Sequence, residues 1–209
     1  MLKRNEELLM KAQERLAFIT EIARRNSGIG KTGMMKFLYI LQAVYKVPLE
    51  YDFEIYTYGP YCQTVMSDIE YAEFTDYIKV SPKSYPNGMN KYQINPGDQS
   101  DQILEKDAEI LFKYKEEIDK IVNFFGSKTA KELELYSTTV YVTLSFENNH
   151  WGNSKSEICR SVQEIKPHFS EEEILAAYDD LVSNHFLSKF KLPISLLTAY
   201  QILHSEMVH

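Results

Sequence analysis

The chain has 209 residues, 44% hydrophobic and 25% charged, with a formal net charge of −7. That length predicts one domain or two small ones around a real core, and the acidic balance argues against a general affinity for phosphate backbones, which needs a basic face. No apolar run approaches the roughly 20 residues that cross a bilayer, and no apolar stretch precedes a small-residue cleavage site near the N-terminus, so a cytoplasmic protein with no membrane association is expected.

Leu8, Leu9, Ala12, Leu16, Ile19 and Ile22 recur at helical spacing and predict a first helix over residues 5–25, ended by Asn26-Ser27-Gly28. A second helix carries Met34, Met35, Phe37, Leu38, Leu41 and Val44 and stops before Pro48. Its broad apolar stripe predicts burial on most sides. Residues 52–57 alternate as a short strand. In Tyr58-Gly59-Pro60-Tyr61, Gly59 sits where a helix cap belongs and Pro60 where a first helical residue belongs, because its missing N–H would be unpaired there anyway. A third helix over residues 60–73 follows from that reading.

Residues 77–80 and 91–94 read as the strands of a hairpin, with Pro82, Pro86 and Asn87-Gly88 in the loop between them. Helices followed by such a hairpin suggest a winged helix, and Pro96-Gly97-Asp98 marks the best boundary. Beyond it, Ile103, Leu104, Ala108, Leu111, Phe112, Ile118, Ile121, Val122 and Phe125 predict one long fourth helix, ended by Gly126. Residues 128–146 pull two ways. The run from Thr138 to Thr143 favours strand by propensity, yet Leu133, Tyr136, Val140 and Leu144 repeat at helical spacing and Ser127 can cap, so helix is preferred. Ser170 with Glu173 forms a capping box that opens a helix to about Asn184.

Gly28-Ile29-Gly30-Lys31-Thr32 invites a phosphate-loop reading, which fails on spacing: the position five residues before Gly30 is Arg25, and the segment follows a helix, not a buried strand. A glycine-rich joint between helices is the reading preferred. The histidines at 150, 168, 185, 204 and 209 include no i, i+4 pair to present two ligands on one helical face, so no metal is expected. His150-Trp151-Gly152 reads as a loop anchor. Cys62 and Cys159, the only cysteines, lie far apart and fit free thiols in a reducing compartment. Cys62 lies near the start of the third helix, where a thiolate would be stabilised, although a lone cysteine there is usually packing. The third helix, which would enter the major groove of DNA in a winged helix, carries Asp68, Glu70 and Glu73 and no Lys or Arg.

Tyrosine is in surplus. Eight of the 15 fall in one stretch: Tyr39, Tyr45, Tyr51, Tyr56, Tyr58, Tyr61, Tyr71 and Tyr77. They read either as an interface, where tyrosine adds large contact area at low rotamer cost, or as rings lining a core with hydroxyls at its edge.

The segment from Lys31 to Tyr39, the strand before Tyr58, the Gly59-Pro60-Tyr61 turn and the helix to Ile69 together resemble the SocA-like antitoxin domain, also called Panacea. They are more similar still to the YwgA-like proteins related to it. The family pattern is a Lys-x-x-Lys-x-x-Tyr-like helix followed by an aromatic-Gly-Pro turn, matched in part by Lys36, Tyr39 and Tyr58-Gly59-Pro60. The resemblance covers roughly residues 27–94. It implies a mostly helical domain used as a neutralising partner or proteolytic adaptor, without catalysis.

The expected fold is therefore mostly α: a winged-helix-like N-terminal half with a small β-hairpin (residues 1–97), and a helical half (98–209) packing on it, separate or continuous with it. The expected function is a non-enzymatic protein-binding module, with Tyr39, Tyr56, Tyr58, Gly59, Pro60 and Tyr61 as the partner surface and no cofactor. A homodimer is left open, as are the partner's identity and the packing of residues 192–209. The alternative is a DNA-binding winged-helix regulator with a basic patch from Lys31, Lys36, Lys79, Lys83 and Lys91. An enzyme with a site near Cys62, Asp68 or His150 ranks third.

Overall fold

A computed structural model describes residues 2–84, 90–149, 151 and 154–187. The segment 192–209, and with it the question of its packing, lies outside the described residues. Among those described, the fold is mostly helical, with nine helices and two small antiparallel strand pairs. The chain forms two compact units, Met1–Tyr141 and Val142–His209.

The first unit is built on α1 (Leu2–Arg25) and α2 (Lys31–Ala43). Along α1, Leu16, Ile19 and Ile22 are buried, as their spacing predicts, and Phe18 is buried beside them. Glu21 is also buried and is held by ion pairs to Arg24 and Arg25 at 2.5 and 2.6 Å. Arg25 continues to Asp119, linking α1 to a later helix. Helix α2 has Met34, Phe37, Leu38, Ile40 and Leu41 fully buried, because it packs against α1, two later helices and two strands at once.

After α2 the chain makes a small hairpin, β1 (Glu54–Tyr56) and β2 (Gly59–Tyr61), with Tyr56 opposite Gly59 and Ile55 opposite Pro60. This corrects the helical reading of Gly59-Pro60. Gly59 does take a left-handed φ of +85°, while Thr57 and Tyr58 do not have positive φ, the pattern of a type I turn closed by a glycine bulge. Pro60 sits in a two-residue-linked ribbon where it need not donate to a further strand. Helix α3 (Gln63–Phe74) begins later, with Cys62 as its N-cap residue.

The second strand pair, β3 (Ile78–Ser84) and β4 (Asn90–Pro96), runs in register from Ile78 opposite Pro96 to Ser84 opposite Asn90. It is longer than its sequence suggests: Pro82 lies within β3 opposite Tyr92, tolerated because a two-stranded ribbon has open edges. Pro86 and Asn87-Gly88 lie outside the described residues. The ribbon is joined to the α1–α2 joint by two backbone hydrogen bonds, Gly28 N–H to the Ile94 carbonyl (2.9 Å) and Ile94 N–H to the Ile29 carbonyl (2.8 Å). Three helices followed by this ribbon give the first unit its winged-helix-like order.

The Pro96-Gly97-Asp98 cluster is a tight corner. A Cβ on Gly97 would lie 2.1 Å from the Asp76 carbonyl oxygen. Beyond it, the expected long helix is three segments: α4 (Ser100–Lys106), α5 (Ala108–Lys113) and α6 (Lys115–Phe125). The breaks fall at Asp107 and Tyr114, and both residues meet α1. The Asp107 carboxylate accepts from Gln13 Nε2 at 2.8 and 2.7 Å, and the Tyr114 ring centroid lies 6.1 Å from that of Phe18. The path bends because it follows α1 around the core.

Of residues 128–146, those from 130 on are helical, within α7 (Ala130–Asn148), which begins in the first unit and ends in the second. Ser137, Thr138, Thr139 and Val140 are wholly buried there. The helix tolerates this run because Thr139 donates to the Leu135 carbonyl (2.9 Å) and Ser137 to that of Glu134 (3.2 Å). The cap is Thr129, not Ser127. Its hydroxyl accepts from Glu132 N–H, and the Glu132 carboxylate accepts from Thr129 N–H at 2.7 Å.

The second unit contains α8 (Lys155–Ile165) and α9 (Glu171–Ser183). Each opens with a capping box, Ser154 with Glu157 and Ser170 with Glu173. Ile158, Val162, Phe169, Ile174 and Leu181 are among its buried residues, and Lys155 pairs with Asp179 at 2.6 Å.

Candidate functional site

The six residues expected to form a partner surface divide between the outside and the base of the β1–β2 hairpin. Tyr56 and Tyr58 are 68% and 67% exposed. Tyr61 is half-buried, its ring 5.8 Å from that of Tyr56 and its hydroxyl donating to Gln63 Oε1 at 2.5 Å. Gly59 and Pro60 are buried. Tyr39 is 5% exposed and belongs to the core, edge-on to Phe53 at 5.1 Å and close to Tyr141. Burial first, then the neighbouring Tyr141, pushes its hydroxyl pKa well up. The expectation of a surface tyrosine at 39 is thus corrected: α2 is enclosed on every side that could have exposed it.

The hairpin is fixed from beneath. The buried Lys36 ammonium donates to the Pro60 carbonyl at 2.6 Å. On α7, the Ser137 and Thr138 hydroxyls occupy the space a side chain on Gly59 would need, 3.1 and 3.0 Å from an added Cβ. A turn pressed on both sides in this way holds its outward tyrosines in place. Between them and α2 and α3 lies a hollow of about 300 Å3, lined by Met35, Met66, Tyr56, Tyr58 and Tyr61 and also by Lys31, Thr32 and Lys36. The sequence offered no sign of Met35 and Met66 as lining, since methionine at helical spacing reads as core.

A second, larger cleft of about 540 Å3 lies at the α1–α2 joint. Its walls are the joint itself, β4 and the segment around α6 and the start of α7, and its lining includes Lys31, Lys91, Lys128 and Tyr92. Of the five lysines named for a basic patch, Lys31 and Lys91 share this cleft, but the patch is not continuous. Lys36 is buried, and Lys79 pairs with Asp98 at 2.6 Å.

The candidate catalytic residues are placed differently. Cys62 is a buried free thiol, and Asp68 accepts from Arg15 Nε (2.6 Å) and from the Tyr51 hydroxyl (2.8 Å), tying α1, α3 and the segment before β1 together. Burial, then the Asp68 charge, raises the Tyr51 pKa, so this hydroxyl stays a donor. His150 lies outside the described residues, and Trp151 packs edge-on to Phe146 at 5.5 Å. Among the described residues no cluster of His, Cys, Asp or Glu could hold a metal ion, and no helix is long and apolar enough to cross a membrane. On α3, Tyr71 and Phe74 are exposed at 56% and 85% beside Glu70 and Glu73, which gives the helix an aromatic and acidic outer face. No protein-family model and no curated protein matches the chain.

Proposed function

We propose that the chain is a non-enzymatic, SocA-like protein-binding module that docks a partner protein through Tyr56, Tyr58 and Tyr61. The carrying observation is the exposed tyrosine hairpin, fixed by Lys36 and α7 and set over an apolar hollow of about 300 Å3. Rigid aromatic side chains beside a pocket have the character of interface anchors, since little conformational freedom is lost on docking. Adaptor or antitoxin use follows from the family resemblance at Lys36 and Tyr58-Gly59-Pro60. The two buried free thiols fit a cytoplasmic setting. The DNA-binding alternative has less support, because α3 exposes carboxylates and aromatic rings.

Affinity capture from the native host, read by mass spectrometry, tests this reading. The wild-type chain is expected to retain one specific protein. Tyr58→Ala should weaken that complex at least tenfold, about 2 kcal/mol for an interface anchor, while leaving the melting temperature unchanged because the ring is exposed. Undiminished capture by a Tyr56→Ala/Tyr58→Ala double variant would refute the assignment.

A further inference from the structure

The cleft at the α1–α2 joint is larger than the hairpin hollow and shares only Lys31 and Thr32 with it. Its volume of about 540 Å3 falls in the range of small-molecule sites, about 300–1,000 Å3. Three lysines line it, each from a different segment: Lys31 from α2, Lys91 from β4 and Lys128 from the connection before α7. No Asp or Glu lines it, although the chain carries 30 acidic residues against 23 Lys and Arg. An all-cationic cavity in an acidic protein concentrates positive potential at one place.

Two of the lysines are also held there. Lys31 Nζ lies 5.2 Å from the Tyr92 ring centroid, and Lys128 Nζ lies 4.6 and 4.4 Å from those of Phe124 and Tyr136. Aromatic faces position an ammonium group without neutralising it. Glu132, whose charge acts on Lys128, has its carboxylate committed to the N–H and hydroxyl of Thr129. Lys31 is moreover the first residue of α2, with no acidic residue in that turn, so its charge opposes the positive end of the helix. An anion in the cleft would offset both the lysine cluster and this local conflict. Ile29, Leu133 and the exposed Tyr92 ring supply apolar surface beside the lysines, backed by the buried Phe37 and Phe125, with space for more than a bare anion.

We propose that this cleft binds a small phosphorylated molecule, its phosphate among Lys31, Lys91 and Lys128 and its organic body against the apolar wall. No reaction on that molecule is implied. The cleft contains none of the docking tyrosines, so either reading could fail without the other.

Titration of the full chain with AMP, inorganic phosphate and adenosine, followed by calorimetry, tests it. AMP stands for a phosphate monoester with a flat organic body. The expected result is AMP binding with a Kd below about 1 mM, at least about tenfold tighter than inorganic phosphate, with adenosine not binding. Lys31→Gln and Lys128→Gln should each weaken AMP at least about fivefold while the melting temperature stays within a degree or so of wild type. Tyr58→Ala, which alters only the hairpin hollow, should leave AMP binding unchanged. AMP binding that survives both lysine changes, adenosine binding as well as AMP, phosphate binding as well as AMP, or no AMP binding up to about 10 mM would each overturn the proposal. A lysine variant that melts early is replaced by Lys91→Gln, on the exposed β4 position, read against the same outcomes.

Discussion

At Gly59 the backbone holds φ at +85° while the Ser137 and Thr138 hydroxyls stand where a side chain would go. A non-glycine residue in that conformation costs about 1–3 kcal/mol before any contact is counted, and the wholly buried α7 residues leave little room to yield. Gly59→Val should therefore lower stability by at least that amount in urea melts. Gly30→Ala is the control: its φ is −78° and an added Cβ would meet the Tyr92 carbonyl oxygen only at 3.5 Å. Equal and small losses would remove the argument for a constrained turn. The need for glycine at 59 was legible in the sequence, but its role was not. A glycine followed by proline suits a helix start and a bulged hairpin alike, and the choice depends on β1 lying close enough to pair. The tyrosines show the same limit. Tyr39 and Tyr58 look equivalent in composition, and only the enclosure of α2 buries one while the tight turn exposes the other.

Helices legible from period alone were α1 and α2, whose buried faces are continuous; α7 had strand propensity against it, and α9 was read from its capping box. The breaks at Asp107 and Tyr114 were not legible, because each depends on a contact with α1 far away in sequence. Capping was legible where it is local. Ser170 with Glu173 could be read directly, and Ser154 with Glu157 follows the same rule three residues after Trp151, although no helix was expected there. In both, the Ser hydroxyl accepts from the N3 amide, so Ser154→Ala and Ser170→Ala should each cost about 1 kcal/mol. Amide exchange should show the loss first in the opening turns of α8 and α9. No change in those turns on either substitution would mean the boxes are ornamental.

Charge decides the prediction for the whole molecule. A net charge of −7, an α3 with exposed carboxylates, a buried Lys36 and a paired Lys79 leave no continuous basic stripe to release counterions from a duplex. Fluorescence anisotropy with duplex DNA at moderate salt should stay flat into the micromolar range, about 10 µM. Steep, salt-dependent binding below that would restore the DNA-binding alternative. A cleft with three lysines suits a single phosphate group and is no track for a backbone, so the two expectations are compatible.

The two hydrogen bonds that join Gly28 and Ile29 to Ile94 carry one further consequence. They are non-local, so the walls of the α1–α2 cleft exist only once the β3–β4 ribbon has docked, a late event for contacts so distant in sequence. Occupancy of the cleft is then linked to folding of the ribbon as well as of the helices, and whatever binds there draws the population away from partly opened forms. A bound small molecule would act as a fastener for the folded unit.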